Sequence, residues 1–122
     1  MPVVKEKYRG SREYALAYAA LIQAAHSRGM ATYAGIAHLT GLPTRGQAMA
    51  SQVGHLVGEI SEDEVGRGRP MLSALVVEKD TGRPGRGFYL LARNLGKLNG
   101  SSNTVEKKFL RKEKATLYEV WK

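Results

Sequence analysis

ATYAGIAHLTGLPTRGQAMASQVGHLVGEI, residues 31–60, decides how the chain is read. Thr32 is a candidate N-cap for a helix over YAGIAHLT, because its hydroxyl can accept from a free amide of the first turn. Gly41 ends that helix and Leu42-Pro43 forces a turn. Thr44 is then placed to cap a third helix, roughly 45–60. Its apolar positions Met49, Val53, Leu56, Val57 and Ile60 share one face at helical spacing. The opposite face carries Gln47, Ser51 and His55 at i, i+4 and i+8, with Arg45 and Gln52 flanking it. Ala37, four residues before Gly41, is small enough for two helices to cross closely. Gly54 and Gly58 each cost about 1 kcal/mol of helix propensity against alanine. A close approach to the helix backbone, or tight helix packing, would explain both. The reading is a helix-turn-helix.

Upstream, Ser11 is placed to cap a helix that runs to Gly29, its candidate C-cap. Tyr14, Ala17, Tyr18, Leu21, Ile22 and Ala25 form its apolar stripe. Residues 1–10 are basic and expected to be frayed or a short strand. Downstream, 61–70 reads as a loop that changes from acidic to basic. MLSALVV, 71–77, reads as a buried strand. The Gly/Pro/Arg-rich loop 78–87 projects Lys79, Arg83 and Arg86. FYLLARNLG, 88–96, suggests a short helix, with a strand over 88–91 as the alternative. A polar linker leads to a charged helix over 104–121, where Val105, Phe109, Leu117, Val120 and Trp121 can pack inward. Lys107, Lys108, Arg111, Lys112 and Lys114 decorate its outer side, as a solvated face or a phosphate contact. The expected architecture is one domain over 1–122, mainly α (α+β): a winged helix-turn-helix core at about 31–60, a strand and small β wing at about 71–91, and an additional C-terminal helix.

The bulk properties narrow the function. The 122 residues contain 19 Lys and Arg against 11 Asp and Glu, a formal charge of +8 that suits a polyanionic partner. Cysteine is absent, which removes disulfides, thiolate metal sites and thiol nucleophiles from this chain. No apolar run approaches the ~18 residues of a membrane helix, and MPVVKEKYRG lacks the apolar core of a secretory signal. The expectation is a cytoplasmic protein, prokaryotic or viral, with no membrane contact.

The stretch from Thr32-Tyr33 through Ile36-Ala37 to Gly41-Leu42-Pro43, then a small-residue helix with Ala48, Ala50, Gly54 and Gly58, then Leu72 to Val77, resembles the C-terminal DNA-binding domain of alkylguanine-DNA alkyltransferases and alkyltransferase-like proteins. The resemblance covers about half of the chain. It implies a winged-helix scaffold that binds DNA. In that family the strand leads into Pro-Cys-His-Arg, whose cysteine accepts the alkyl group. Here the same place reads Val77-Glu78-Lys79-Asp80, so alkyl transfer is excluded. The family's non-catalytic relatives carry tryptophan at the cysteine position, and this chain does not. The family's gap-filling arginine falls at Gln47, with Arg45 two residues earlier. The tyrosine that helps rotate a base out falls at Tyr33.

No other chemistry has the required spacing. His55 and Glu59 lie one helical turn apart, which fits surface neighbours better than a metal pair. Glu62, Asp63, Glu64, Glu78 and Asp80 lack the arrangement of common nuclease cores. GRGRP and GRPGRG read as basic loops, not nucleotide cradles. Ser51 and His55 have no third partner for a hydrolase. The expectation is a non-catalytic, cofactor-free and metal-free protein that binds duplex DNA. Gln47, Ser51 and His55 would face base edges. Thr32, Tyr33, Thr44 and Arg45 would position the backbone, and Lys79, Arg83 and Arg86 would form a basic wing. A protein-interaction module, as an inhibitor or complex subunit, is the alternative. A metal-dependent nuclease is the third.

Overall fold

Three short hydroxyl side chains mark where helices begin. The computed structural model describes residues 3–122. Ser11 accepts from the Tyr14 amide at 3.2 Å and opens α1, Arg12–His26. Thr32 accepts from Gly35 at 2.9 Å and opens α2, Tyr33–Thr40. Ser102 accepts from Val105 at 3.2 Å and opens α5, Asn103–Val120. Each bond satisfies an amide that the helix itself cannot. Thr44 has no such role: α3, Gly46–Gly66, starts two residues later from Arg45, with no side-chain cap. Gly41, at φ +82°, supplies the left-handed turn that stops α2.

The C-terminus of α1 departs from expectation. The helix ends at His26, and the left-handed position after the cap belongs to Arg28 (φ +58°), not Gly29. Gly29 N–H bonds Ala24 O at 2.8 Å and Arg28 N–H bonds Ala25 O at 3.2 Å, closing a Schellman motif.

Two expectations for the middle of the chain are corrected. Residues 61–66 are the last turns of α3, not a loop. Their acidic side chains find cations on both sides: Glu62 and Asp63 pair with Arg9, and Glu64 with Arg67 and Arg69. MLSALVV is not a continuous strand. Leu72–Leu75 form a 3-10 turn, and only Val76–Val77 are extended, as β2. An apolar run of this length marks burial without fixing conformation. Here the buried amides find turn and side-chain acceptors in place of a ladder: Ser73 N–H bonds Ser61 Oγ, and Met71 N–H bonds Glu113. β2 pairs in parallel with β1, Ala31–Thr32, in the register Ala31↔Val76 and Thr32↔Val77. Among the described residues this pair is the only sheet, so the loop after β2 has no β hairpin.

α4 spans Arg86–Asn94, so the 88–96 stretch is helical as far as Asn94 and the strand alternative is removed. The core gathers Leu21 of α1, Ile36 of α2, Leu56 and Ile60 of α3, Met71 to Val76, Ala92 of α4 and Leu117 of α5. On α5, Phe109 and Trp121 are half-buried as expected, whereas Val105 and Val120 stay exposed. Two acids hold α5 in place. Glu106 takes Arg86 and Arg93, and Glu113 takes Lys97 and the Met71 amide. No helix of the described residues is long and apolar enough to cross a membrane.

Residues 3–9 are neither frayed nor a strand. They lie along α3 as a strap, held by carboxylates. Glu59, fully buried, accepts from the amides of Lys7, Tyr8 and Arg9 at 2.8 to 3.2 Å. Glu62 accepts from the amides of Val3 and Val4. A charge without solvent contact requires such partners. Tyr8 fills the space beneath, 6% exposed.

Candidate nucleic-acid interface and its cavity

α3 presents two different surfaces along its length. Over Gly46–Ser51 every residue except Met49 is exposed, so Gln47 and Ser51 face solvent. One turn later, the strap takes the helix. His55 Nε2 lies 2.6 Å from the Lys5 carbonyl oxygen and 3.6 Å from Glu59, and its ring meets Tyr8 edge-on at 6.0 Å. Gln52 Oε1 faces the Tyr8 hydroxyl at 3.4 Å. Gln47 and Ser51 are thus free while Gln52 and His55 are engaged within the fold. Glu59 is a buried anchor rather than a surface neighbour of His55.

Beside this helix lies a cavity of about 710 Å³. The strap forms one wall through Val3, Val4 and Lys5. α3 forms the floor through Ser51, Gly54 and His55, and α4 closes it with Arg86, Leu90 and Leu91. Of the candidate site residues singled out in the sequence, Tyr33, Ser51, His55 and Arg86 meet here, together with Glu78. The two glycines of α3 have different uses. A side chain at Gly54 would meet nothing within 4 Å, so that position simply leaves the floor open. At Gly58 it would contact Leu91 at 3.6 Å and Val4 at 3.9 Å, where α4 and the strap pack down.

Tyr33 leans over the cavity from the first residue of α2, and its phenol oxygen accepts from the Gly85 amide at 3.3 Å. Burial raises its pKa; the Gly85 bond acts against this and the charge of Glu78 adds to it. A side chain at Gly85 would come within 3.1 Å of the Tyr33 oxygen, so glycine is what allows the loop to pass under the ring. Thr32 is occupied as the α2 cap. Thr44 and Arg45 are exposed on the turn before α3, and Arg45 forms no ion pair among the described residues.

The loop over residues 78–85 is folded tightly on itself. The Glu78 amide donates to Arg83 O at 2.9 Å and the Gly82 amide to Glu78 O at 2.8 Å. Lys79 and Arg83 point outward. Arg86 does not join them as a free cation. It forms a two-pronged pair with Glu106 at 2.6 and 2.8 Å and lies over the Tyr89 ring at 5.1 Å. Arg86 and then Arg93 hold the Glu106 carboxyl down at about 2.

Of the carboxylates considered for metal chemistry, Glu78 lines the cavity and Asp80 is exposed, with no third ligand-type group beside them among the described residues, while the other three are engaged elsewhere. Glu62 and Asp63 face Arg9, and Asp63 also accepts from Tyr14, whose pKa rises through burial and that bond. Burial pushes Glu64 up, but Arg69, Tyr18 and Arg67 together hold it below the ordinary range. The strap and its anchor are the parts of this site that sequence reading missed. The signal was present: residues 14–58 contain no Asp or Glu, and the first acids after that gap are Glu59, Glu62, Asp63 and Glu64. No protein-family model, curated protein or solved structure matches the chain.

Proposed function

We propose that the chain binds duplex DNA without catalysing a reaction, using α2 and α3 as a helix-turn-helix and the 78–85 loop in the place of a wing. The observation that carries this reading is the bare first stretch of α3, Gly46–Ser51. Gln47, Ala48, Ala50 and Ser51 are exposed and small or uncharged, and they lie in a run of sequence free of carboxylates. Such a surface can enter a major groove without repelling phosphates. Arg45 before the helix, with Lys79 and Arg83 on the loop, supplies cations for the backbone. His55 and Gln52 drop out of the reading face, which narrows to Gln47 and Ser51. Arg86 acts by holding α4 to α5.

The test is a salt titration of binding to duplex DNA, single strands and RNA, with and without magnesium. Binding should favour duplex and fall steeply with salt. Gln47→Ala with Ser51→Ala should weaken the preferred sequence about tenfold or more, at roughly 1–3 kcal/mol per good base contact, while leaving the unfolding midpoint in place. Equal loss on all sequences would remove the base-reading role of α3.

A second reading, a protein partner, has one observation in its favour. Val3 and Leu90, 46% and 59% exposed, are apolar edges of the cavity. Binding to a protein that persists at high salt would favour it.

A further inference from the structure

The cations of this protein fall into two groups. Arg9, Arg67, Arg69, Arg86, Arg93 and Lys97 each face a carboxylate and hold the fold together. Among the cations that form no ion pair with the described residues, one group of four gathers in one place. It lines a groove of about 450 Å³ between the end of α1 and the middle of α5. Lys107, Arg111 and Lys114 form one wall, Arg28 stands opposite, and Leu110 and Tyr118 contribute the apolar part. No carboxylate lines it.

The geometry points to a phosphate-binding groove, in which Lys107, Arg111, Lys114 and Arg28 track the backbone of a nucleic-acid strand. Lys107, Arg111 and Lys114 stand at i, i+4 and i+7, which puts them on one face over about 10 Å of helix. Phosphates rise about 3.4 Å apart on the duplex axis and lie farther apart along the winding strand, so that length meets about two. Arg28 is held across from them by its own backbone. It occupies a left-handed position that ordinarily selects glycine, and its guanidinium lies over the Tyr118 ring at 5.4 Å. Tyr118 in turn donates to Gly29 O at 2.9 Å, fixing α5 to the α1 terminus. The chain keeps an arginine where glycine would relieve the backbone, and that arginine faces the groove. The inference rests on the DNA-binding reading and adds a second contact surface to it.

The test compares two variants that remove equal charge. Arg111→Gln with Lys114→Gln alters the groove. Lys7→Gln with Arg12→Gln alters two exposed cations outside the groove, Lys7 on the strap and Arg12 at the start of α1, about 22 Å from its other end along that helix. Each is titrated with salt against duplex DNA and against a polyglutamate peptide. The groove variant should lower the slope of log K against log salt by roughly 2, and the control should leave it in place. Arg28→Gly should weaken DNA binding while the thermal midpoint holds or rises. An equal drop in both double variants would report net charge alone and overturn the groove. An unchanged slope in the groove variant would overturn it and leave the α3 reading standing. Loss of polyglutamate binding with an intact DNA slope would assign the groove to an acidic protein instead. A wild-type chain that does not bind DNA would overturn both readings.

Discussion

The two ends of α3 belong to one helix and have opposite fates. At Glu59–Glu64 its side chains are taken up by the strap, by Arg9 and by Arg67 and Arg69. At Gly46–Ser51 it has no side-chain cap, no acid and few covered residues. Charged groups concentrate where the helix is fixed, and uncharged small ones where it is free. Polar side chains at the fixed end satisfy buried backbone, whereas those at the free end keep their hydrogen-bonding capacity for another molecule.

The fixed end can be broken most severely at Glu59. Glu59→Ala leaves three strap amides without their acceptor, and unfolding in urea should show a loss of about 3–5 kcal/mol. A change under about 1 kcal/mol would mean that the strap is not part of the cooperative unit. Next in size is the acid response of the same kind of clamp at Glu106. Its carboxyl, ordinarily near 4.5, lies at about 2 in the folded chain because of Arg86 and Arg93. The stability it contributes is complete above about pH 4.5 and disappears as the pH falls towards about 2. Urea midpoints across that window should fall in the wild type and fall less in Glu106→Gln. Parallel curves would show that the clamp contributes nothing. The smallest effect lies at the boundary between the two ends. Gly54→Ala meets open space and gains helix propensity, so stability should rise by about 0.5–1 kcal/mol. A decrease on thermal melting would mean that the cavity floor is more crowded than it appears.

Local signals in the sequence carried much of the architecture. Ser11 and Thr32 sit where caps were expected, Gly41 turns the chain, and the stripes of α1 and α3 face the core. These features depend on neighbours within about one helical turn. What the sequence hid depends on distant partners. Leu72–Leu75 curl because Ser61 and Glu113 supply acceptors from other helices. Residues 61–66 remain helical because Arg9, some fifty positions earlier, meets Glu62 and Asp63. At the candidate site, Tyr33 and Ser51 could be picked out, but the covering of His55 by Lys5 could not, since nothing in the helix pattern encodes the path of residues 3–9.

The strap also bears on hydrogen exchange. The amides of Lys7, Tyr8 and Arg9 belong to no helix or strand, yet their hydrogens are held by a buried side chain. They are therefore expected to exchange slowly, because exchange requires this segment to lift off α3. Because Val3, Val4 and Lys5 wall the cavity, each lifting also opens that side of it. Three backbone protons thus act as a clock for access to the cavity.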